Sequence, residues 1–212
     1  MYVPTHFEET RTEVLHEWIR QNPFGALVAQ TAQGLEASHV PFEIDATAGV
    51  MGTLHCHVAR ANPIWRDFTS GSQAMVLFQG AHGYVSPSWY PAKQEHGKVV
   101  PTWNYVVVHA YGSLRAIEDR DWLRALVSRL TDRNEAGRAE PWKLGDAPED
   151  YVDKMLRAIV GLELQVERLV GKWKLSQNRS AADQRGVVEG LSREADPLAV
   201  SLGGMMEPPQ AS

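Results

Sequence analysis

The stretch FGALVAQTAQGLEASHVPFEIDATAGVMGTLHCHV, residues 24–58, decides the fold. Three β-rich runs, FGALVAQT, LEASHVPFEI and VMGTLHCHV, are separated by Gln33-Gly34 and by the turn-forming residues 45–49, the pattern of an antiparallel meander. Downstream, AMVLFQG and GYVSPS continue it, and VVPTWNYVVVHAYGSLRAI is long enough for one bent strand. GLELQVERL sets Leu162, Leu164 and Val166 against Glu163, Gln165 and Glu167, the alternation of a half-buried strand.

Helical signals lie around these strands. Residues 10–21 carry Val14, Leu15, Trp18 and Ile19 at helical spacing, with Thr10 and Glu13 spaced as a capping box and Pro23 beyond the end. Asp119 can cap a helix whose apolar positions are Trp122, Leu123, Leu126, Val127 and Leu130. Pro148 suits the first helical position before EDYVDKMLRAIV, and Ser180 with Asp183 caps AADQRGVVEGL. The expectation is a mainly β fold with peripheral helices, a small antiparallel barrel of six or seven strands forming one domain over residues 1–195, followed by a flexible tail, 196–212.

Composition narrows the classes. A chain of 212 residues can complete one core, and 43% apolar with 22% charged residues is ordinary for a folded domain. Cys56 stands alone, so no internal disulfide forms. No run of about 18 apolar residues occurs, and MYVPTHFEETRTE lacks a basic segment followed by an apolar one, so the expected location is cytoplasmic, away from membranes. A net charge of −5 is the wrong sign for holding nucleic acid by phosphate neutralisation, and the helices at 122–130 and 148–160 have no short Gly-containing turn between them; direct DNA binding is therefore doubtful. There is no nucleophile elbow, Walker loop, G-x-G-x-x-G, CxxC pair or HExxH motif.

The chemistry-bearing residues concentrate in a few places. In residues 84–112, YVSPSWYPAKQEHGKVVPTWNYVVVHAYG, prolines punctuate aromatics whose rims carry N–H or O–H donors, a composition suited to gripping a flat polar molecule. Trp103 lies between Thr102 and Asn104, which places a ring plane beside two short polar groups; a slot for a heterocycle and a core tryptophan both satisfy that pattern. HVARANP offers the Arg60 fork for an anion, and KWKLSQNRS puts Lys174, Ser176, Gln177, Asn178 and Arg179 just ahead of a helix start; either segment is also readable as a solvated loop. If residues 45–49 close a regular hairpin, His39 faces His55 with His57 on the same side, a set able to bind metal or to form a polar lining. Cys56 then points to the other face as a buried thiol.

MYVPTHF, ASHVPF, HVARANP, FQG, YVSPSWY, VVPTWNYVVVHAYG, IVGLEL and KLSQNR occur in an order that resembles the PaiB family, the FMN-binding negative transcriptional regulators related to pyridoxamine-phosphate-oxidase-like split barrels. The resemblance covers about residues 1–191, and YVSPSWY, PTWNY and KLSQNR are its most specific parts. It implies an FMN-binding split β-barrel with FMN at a homodimer interface, and negative regulation as the associated role. An FMN-dependent oxidoreductase and a haem or metal protein on His39, His55 and His57 are the alternatives. By the same resemblance the cofactor contacts fall on His57, Val58, Ala59, Arg60 and Asn62, on Thr102, Trp103 and Asn104, and on Lys174, Ser176, Gln177 and Arg179. No metal is implied at these positions.

Overall fold

The computed structural model describes residues 1–68 and 72–206. Its strands are β1 (Glu8–Glu9), β2 (Phe24–Thr31), β3 (Gly34–Pro41), β4 (Glu43–Asp45), β5 (Thr53–Ala59), β6 (Gln73–Val85), β7 (Thr102–Ile117) and β8 (Ile159–Lys174). Its helices are α1 (Thr12–Gln21), α2 (Ile64–Asp67), α3 (Ala92–Glu95), α4 (Arg120–Glu135), α5 (Glu149–Arg157), α6 (Ala181–Ser192) and α7 (Pro197–Met205). The strands form one sheet in the order β3-β2-β6-β7-β8-β5-β4, with β1 on β8. This is the mainly β, split-barrel class with peripheral helices. No helix among the described residues is long and apolar enough to cross a membrane.

The chain divides into two compact units. The first comprises Met1–Leu15, Gln79–His109 and Val170–Ser212, the second His16–Phe78 and Ala110–Leu169, so β6, β7 and β8 each contribute a segment to both.

In the first unit the glycines of AADQRGVVEGL determine how α6 packs. A Cβ on Gly186 would stand 2.0 Å from the Trp89 carbonyl, and one on Gly190 would stand 2.1 Å from the Trp89 ring. Four residues apart, they clear one helix face for Trp89. Ser180 Oγ accepts the Asp183 amide at 3.1 Å and caps the helix start, as its position in the sequence predicts. The stretch expected to be a loose tail instead forms α7 over residues 197–205. Asp196 Oδ1 accepts the Leu198 amide at 3.0 Å, Pro197 opens the helix, and Ala199 and Leu202 are buried. Residues 207–212 of that tail lie outside the described residues.

In the second unit β2 and β3 pair from Phe24↔Pro41 to Thr31↔Gly34, with Leu27 and Ala29 buried. The hairpin expected across residues 45–49 has a different register. Glu43 pairs with His55 and Asp45 with Thr53, whereas His39 pairs with Ala26. The run LEASHVPFEI is broken at Phe42, whose side chain is buried, so that β3 and β4 lie at opposite ends of the sheet order. His39 therefore does not face His55.

Asp119 caps α4 by accepting the Trp122 amide at 2.8 Å. Pro148 stands at the cap of α5 rather than at its first turn. Leu123 of α4 packs with Val152 and Leu156 of α5, and Trp122, Val127, Leu144, Ala147 and Ile159 flank them. Leu162, Leu164 and Val166 are buried as the alternation in β8 requires, but Glu163 is buried too. Its carboxylate accepts Arg115 Nε at 2.6 Å and lies 3.3 Å from His55 Nε2. A buried carboxylate is tolerable only with such partners. Cys56 is buried, and burial pushes its thiol up, so it stays protonated.

Candidate functional site

The start of β7 and the end of β8 bring most of the predicted site residues together within the first unit. Alternation along β7 buries Asn104 and leaves Trp103 54% exposed, so this tryptophan is not a core residue. Tyr84 meets the Trp103 ring edge-on at 6.0 Å between centroids, and His82 lies at 6.2 Å. Lys174 donates to Thr102 Oγ1 and, at 2.5 Å, to the Trp103 carbonyl, tying the two strands at this point.

After β8 the chain turns sharply. Ser176 has φ 62°, a left-handed conformation rare for a residue with a side chain, and its hydroxyl is buried. Asn104 Nδ2 donates to Ser176 Oγ at 2.8 Å. Gln177 closes the turn, accepting the Leu175 amide at 2.8 Å and donating to the Trp173 carbonyl at 2.6 Å. Asn104 Oδ1 remains, buried and without a hydrogen-bond partner.

The electrostatics are one-sided. Burial, and then the charges of Lys172 and Arg179, hold the Lys174 ammonium below the usual lysine range. Lys172 reaches the Tyr2 carbonyl at 3.2 Å and lies over the Tyr105 ring at 5.2 Å, while Arg179 lies over the Tyr90 ring at 5.1 Å. Burial raises the Tyr90 phenol, with the Arg179 charge opposing that shift. Among the described residues, none of Lys172, Lys174 and Arg179 forms an ion pair with a carboxylate. Lys174, pressed by the charges of Lys172 and Arg179, and the unpaired Asn104 oxygen are groups chemically suited to an anion attached to a polar ring system.

The other predicted segment, His57 to Asn62, lies in the second unit, and the side chains of Arg60 and Asn62 bond within that unit. Arg60 donates to the carbonyls of Arg157 at 2.8 Å and Ile159 at 3.1 Å and to Glu118 Oε2 at 2.5 Å. Asn62 donates to Ser38 Oγ at 3.0 Å and accepts the Ile64 amide at 3.0 Å. Val58 is buried and Ala59 is exposed. His57 lines a cavity, and burial lowers its imidazole below the usual histidine value.

Lys172 and Tyr90 join this arrangement; Tyr90 belongs to the aromatic stretch 84–112 singled out in the sequence, whereas Lys172 is not among the expected contacts. The sequence did hold a signal for Lys172, because KWK places it two residues from Lys174 and thus on the same strand face. Tyr90 joins through Arg179, which lies over its ring at 5.1 Å.

The family model described as "Putative FMN-binding domain" matches residues 1–168. The "Protease synthase and sporulation protein PAI 2" of Bacillus subtilis is 34% identical over 98% of this chain and 97% of its own length. An uncharacterized protein of Aspergillus fumigatus is 32% identical over 91% of each chain. Among solved structures, the FAD- and haem-binding protein of Mycobacterium smegmatis is similar with a TM-score of 0.59 at 20% identity, over 84% of this chain and 78% of that one. The flavocytochrome Anf3 of Azotobacter vinelandii also has a TM-score of 0.59, at 12% identity, over 81% of this chain and 72% of that one. At these identities the two structures speak for the fold alone.

Proposed function

As a member of the PaiB family of FMN-binding split barrels, this chain takes FMN as its cofactor, and we propose that it holds the flavin with the cluster of Lys174, Arg179, Ser176 and Asn104. The observation that carries this reading is the set of cations without carboxylate partners beside the buried, unpaired Asn104 Oδ1. The residues suit the group. The cations can hold a phosphate, Asn104 Oδ1 can accept an N–H from a ring edge, and the exposed Trp103 plane can cover an apolar ring face. Bound FMN supplies hydride or single-electron transfer. The protein's own part is to fix the phosphate through Lys174 and Arg179, and to hold Asn104 in place through Ser176.

Titration with FMN and with riboflavin tests the reading. Lys174→Ala and Arg179→Ala should weaken FMN and leave riboflavin nearly unchanged. Equal losses for the two ligands would remove these residues from the phosphate site.

We further propose a homodimer in which a second copy covers the exposed Tyr84, Val100 and Trp103, since an apolar patch of this kind is otherwise left in water. Sedimentation equilibrium should give about twice the chain mass. A cytoplasmic location accords with the single buried cysteine. Whether the flavin has a substrate is read from bleaching of the yellow protein by NADH or NADPH.

For regulation we propose an indirect route. The chain carries −5 net charge, and several of its arginines are already paired, with Glu43, Glu118, Glu149, Asp153 and Glu163. Direct binding to duplex should be weak and non-specific, with affinity no tighter than about micromolar at roughly 150 mM salt. Nanomolar, sequence-specific binding in a gel-shift titration would reverse this ranking.

A further inference from the structure

A cavity of about 450 Å³ opens in the second unit, lined by His57 and Ala59 of β5, Val127 of α4, Leu144, Ala147 and Met155, among others. This volume falls within the range of ligand pockets, and the pocket opens to solvent where its lining residues Trp142, Tyr151 and Met155 are exposed. The lining is almost entirely apolar, so water gains few partners there. Val152 and Leu156, packed with Leu123, form part of the wall itself. Met155 supplies a flexible, adaptable surface on one side.

Against this background His57 sets the chemistry. Its Nδ1 is shut off from solvent with no hydrogen-bond partner. Burial favours the neutral imidazole, which carries a single N–H. An orphaned buried donor is rarer than an under-satisfied acceptor, so the proton belongs on Nε2 of this cavity-lining ring. The site therefore presents the His57 donor in an open, mostly apolar pocket whose mouth carries the exposed Trp142 and Tyr151.

We propose that this cavity is a second ligand site, which takes a neutral molecule of one or two rings bearing a single hydrogen-bond acceptor, such as a ring ketone, with His57 as the donor that orients it. A charged ligand is excluded because nothing in the lining would compensate its desolvation. The site uses none of the residues assigned to the phosphate, Ser176 or Asn104. It is read by a signal that does not depend on flavin.

The test uses full-length protein as purified, with the methionine methyl groups labelled with carbon-13 and the Met155 signal assigned through Met155→Leu. The probes are 1-tetralone and tetralin, which share a skeleton and differ by the carbonyl oxygen. A saturable shift of the Met155 methyl with 1-tetralone, and binding of tetralin about fivefold weaker, is the expected result. His57→Phe should make the two probes equal. Ala147→Phe should fill the cavity and abolish both responses, with Ala59→Trp as the filling variant if the first does not fold. A Met155 methyl that never moves, or equal affinities in the unsubstituted protein, would overturn the proposal; so would a filled variant that still binds. Loss of flavin binding with the Met155 response intact would count against the flavin reading and leave this one standing.

Discussion

Arg60 in the second unit and Lys174 in the first are both basic residues near strand ends, yet their surroundings are opposite. Arg60 gives its guanidinium to two carbonyls and to Glu118, and Arg115 lies against the buried Glu163. Lys174 has a hydroxyl and a carbonyl for partners, and its charged neighbours are Lys172 and Arg179, which repel it. A charge already matched by protein acceptors contributes to stability. A charge held among like charges costs stability until an anion arrives. The difference supports the proposed phosphate contacts at Lys174 over Arg60, where residue type alone would have treated both segments alike.

The largest effect should come from removing the unmatched cations. Each of Lys174→Ala and Arg179→Ala should weaken FMN by about 1.5–3 kcal/mol, roughly 10- to 150-fold, while thermal stability without ligand stays level or rises. A fall in unliganded stability for both would mean that the two charges are matched after all.

Arg60→Ala should show the reverse pattern. The side chain is 33% exposed in its pair with Glu118, so a loss of about 1–2 kcal/mol in unfolding free energy is expected, with the FMN to riboflavin ratio unchanged. A selective loss of FMN would return the Arg60 segment to the phosphate site.

Trp103→Ala sharpens the contrast further, because an exposed ring contributes little to the isolated fold. Stability of the monomer should change by less than about 0.5 kcal/mol, while flavin affinity and dimer mass both fall. Unfolding at ambient temperature, seen by circular dichroism, would show the ring to be structural.

The smallest effect is in pH dependence. Lys174 has a folded-state pKa below the ordinary value of 10.5, so protonation there opposes folding at all pH values below its folded pKa. That penalty is relieved as pH rises from the folded pKa towards 10.5, and stability should rise across this window relative to Lys174→Met. FMN affinity should fall over the same window as the ammonium is lost. Opposite slopes in the two titrations are the signature to look for.

Much of this was legible along the chain. FGALVAQT is β2 to the residue, because β-branched and apolar residues alternate between turn signals. Asp119 and Ser180 cap the helices they precede, because capping is local chemistry between a side chain and an amide two or three residues on. KLSQNR stands out for its density of donors just before α6. Even α7 had its signal in Asp196-Pro197, obscured by the glycines and methionines that follow.

What the sequence by itself determined is thus the local layer: strand and helix identity, caps, and which residues carry charge or rings. Only the tertiary structure decided who meets whom. The register that sends His39 to Ala26 and His55 to Glu43 follows from a break at buried Phe42, and a break in pairing leaves no mark in a period-two pattern. Glu163 reads as a solvent-facing residue and is buried because Arg115 and His55 converge on it, from 48 residues away in the case of Arg115. Arg60 and Lys174 look alike in one dimension. Their partners lie many tens of residues away, 97 in the case of the Arg157 carbonyl and 72 for the Thr102 hydroxyl, and electrostatic compensation depends on distance in space, not along the chain.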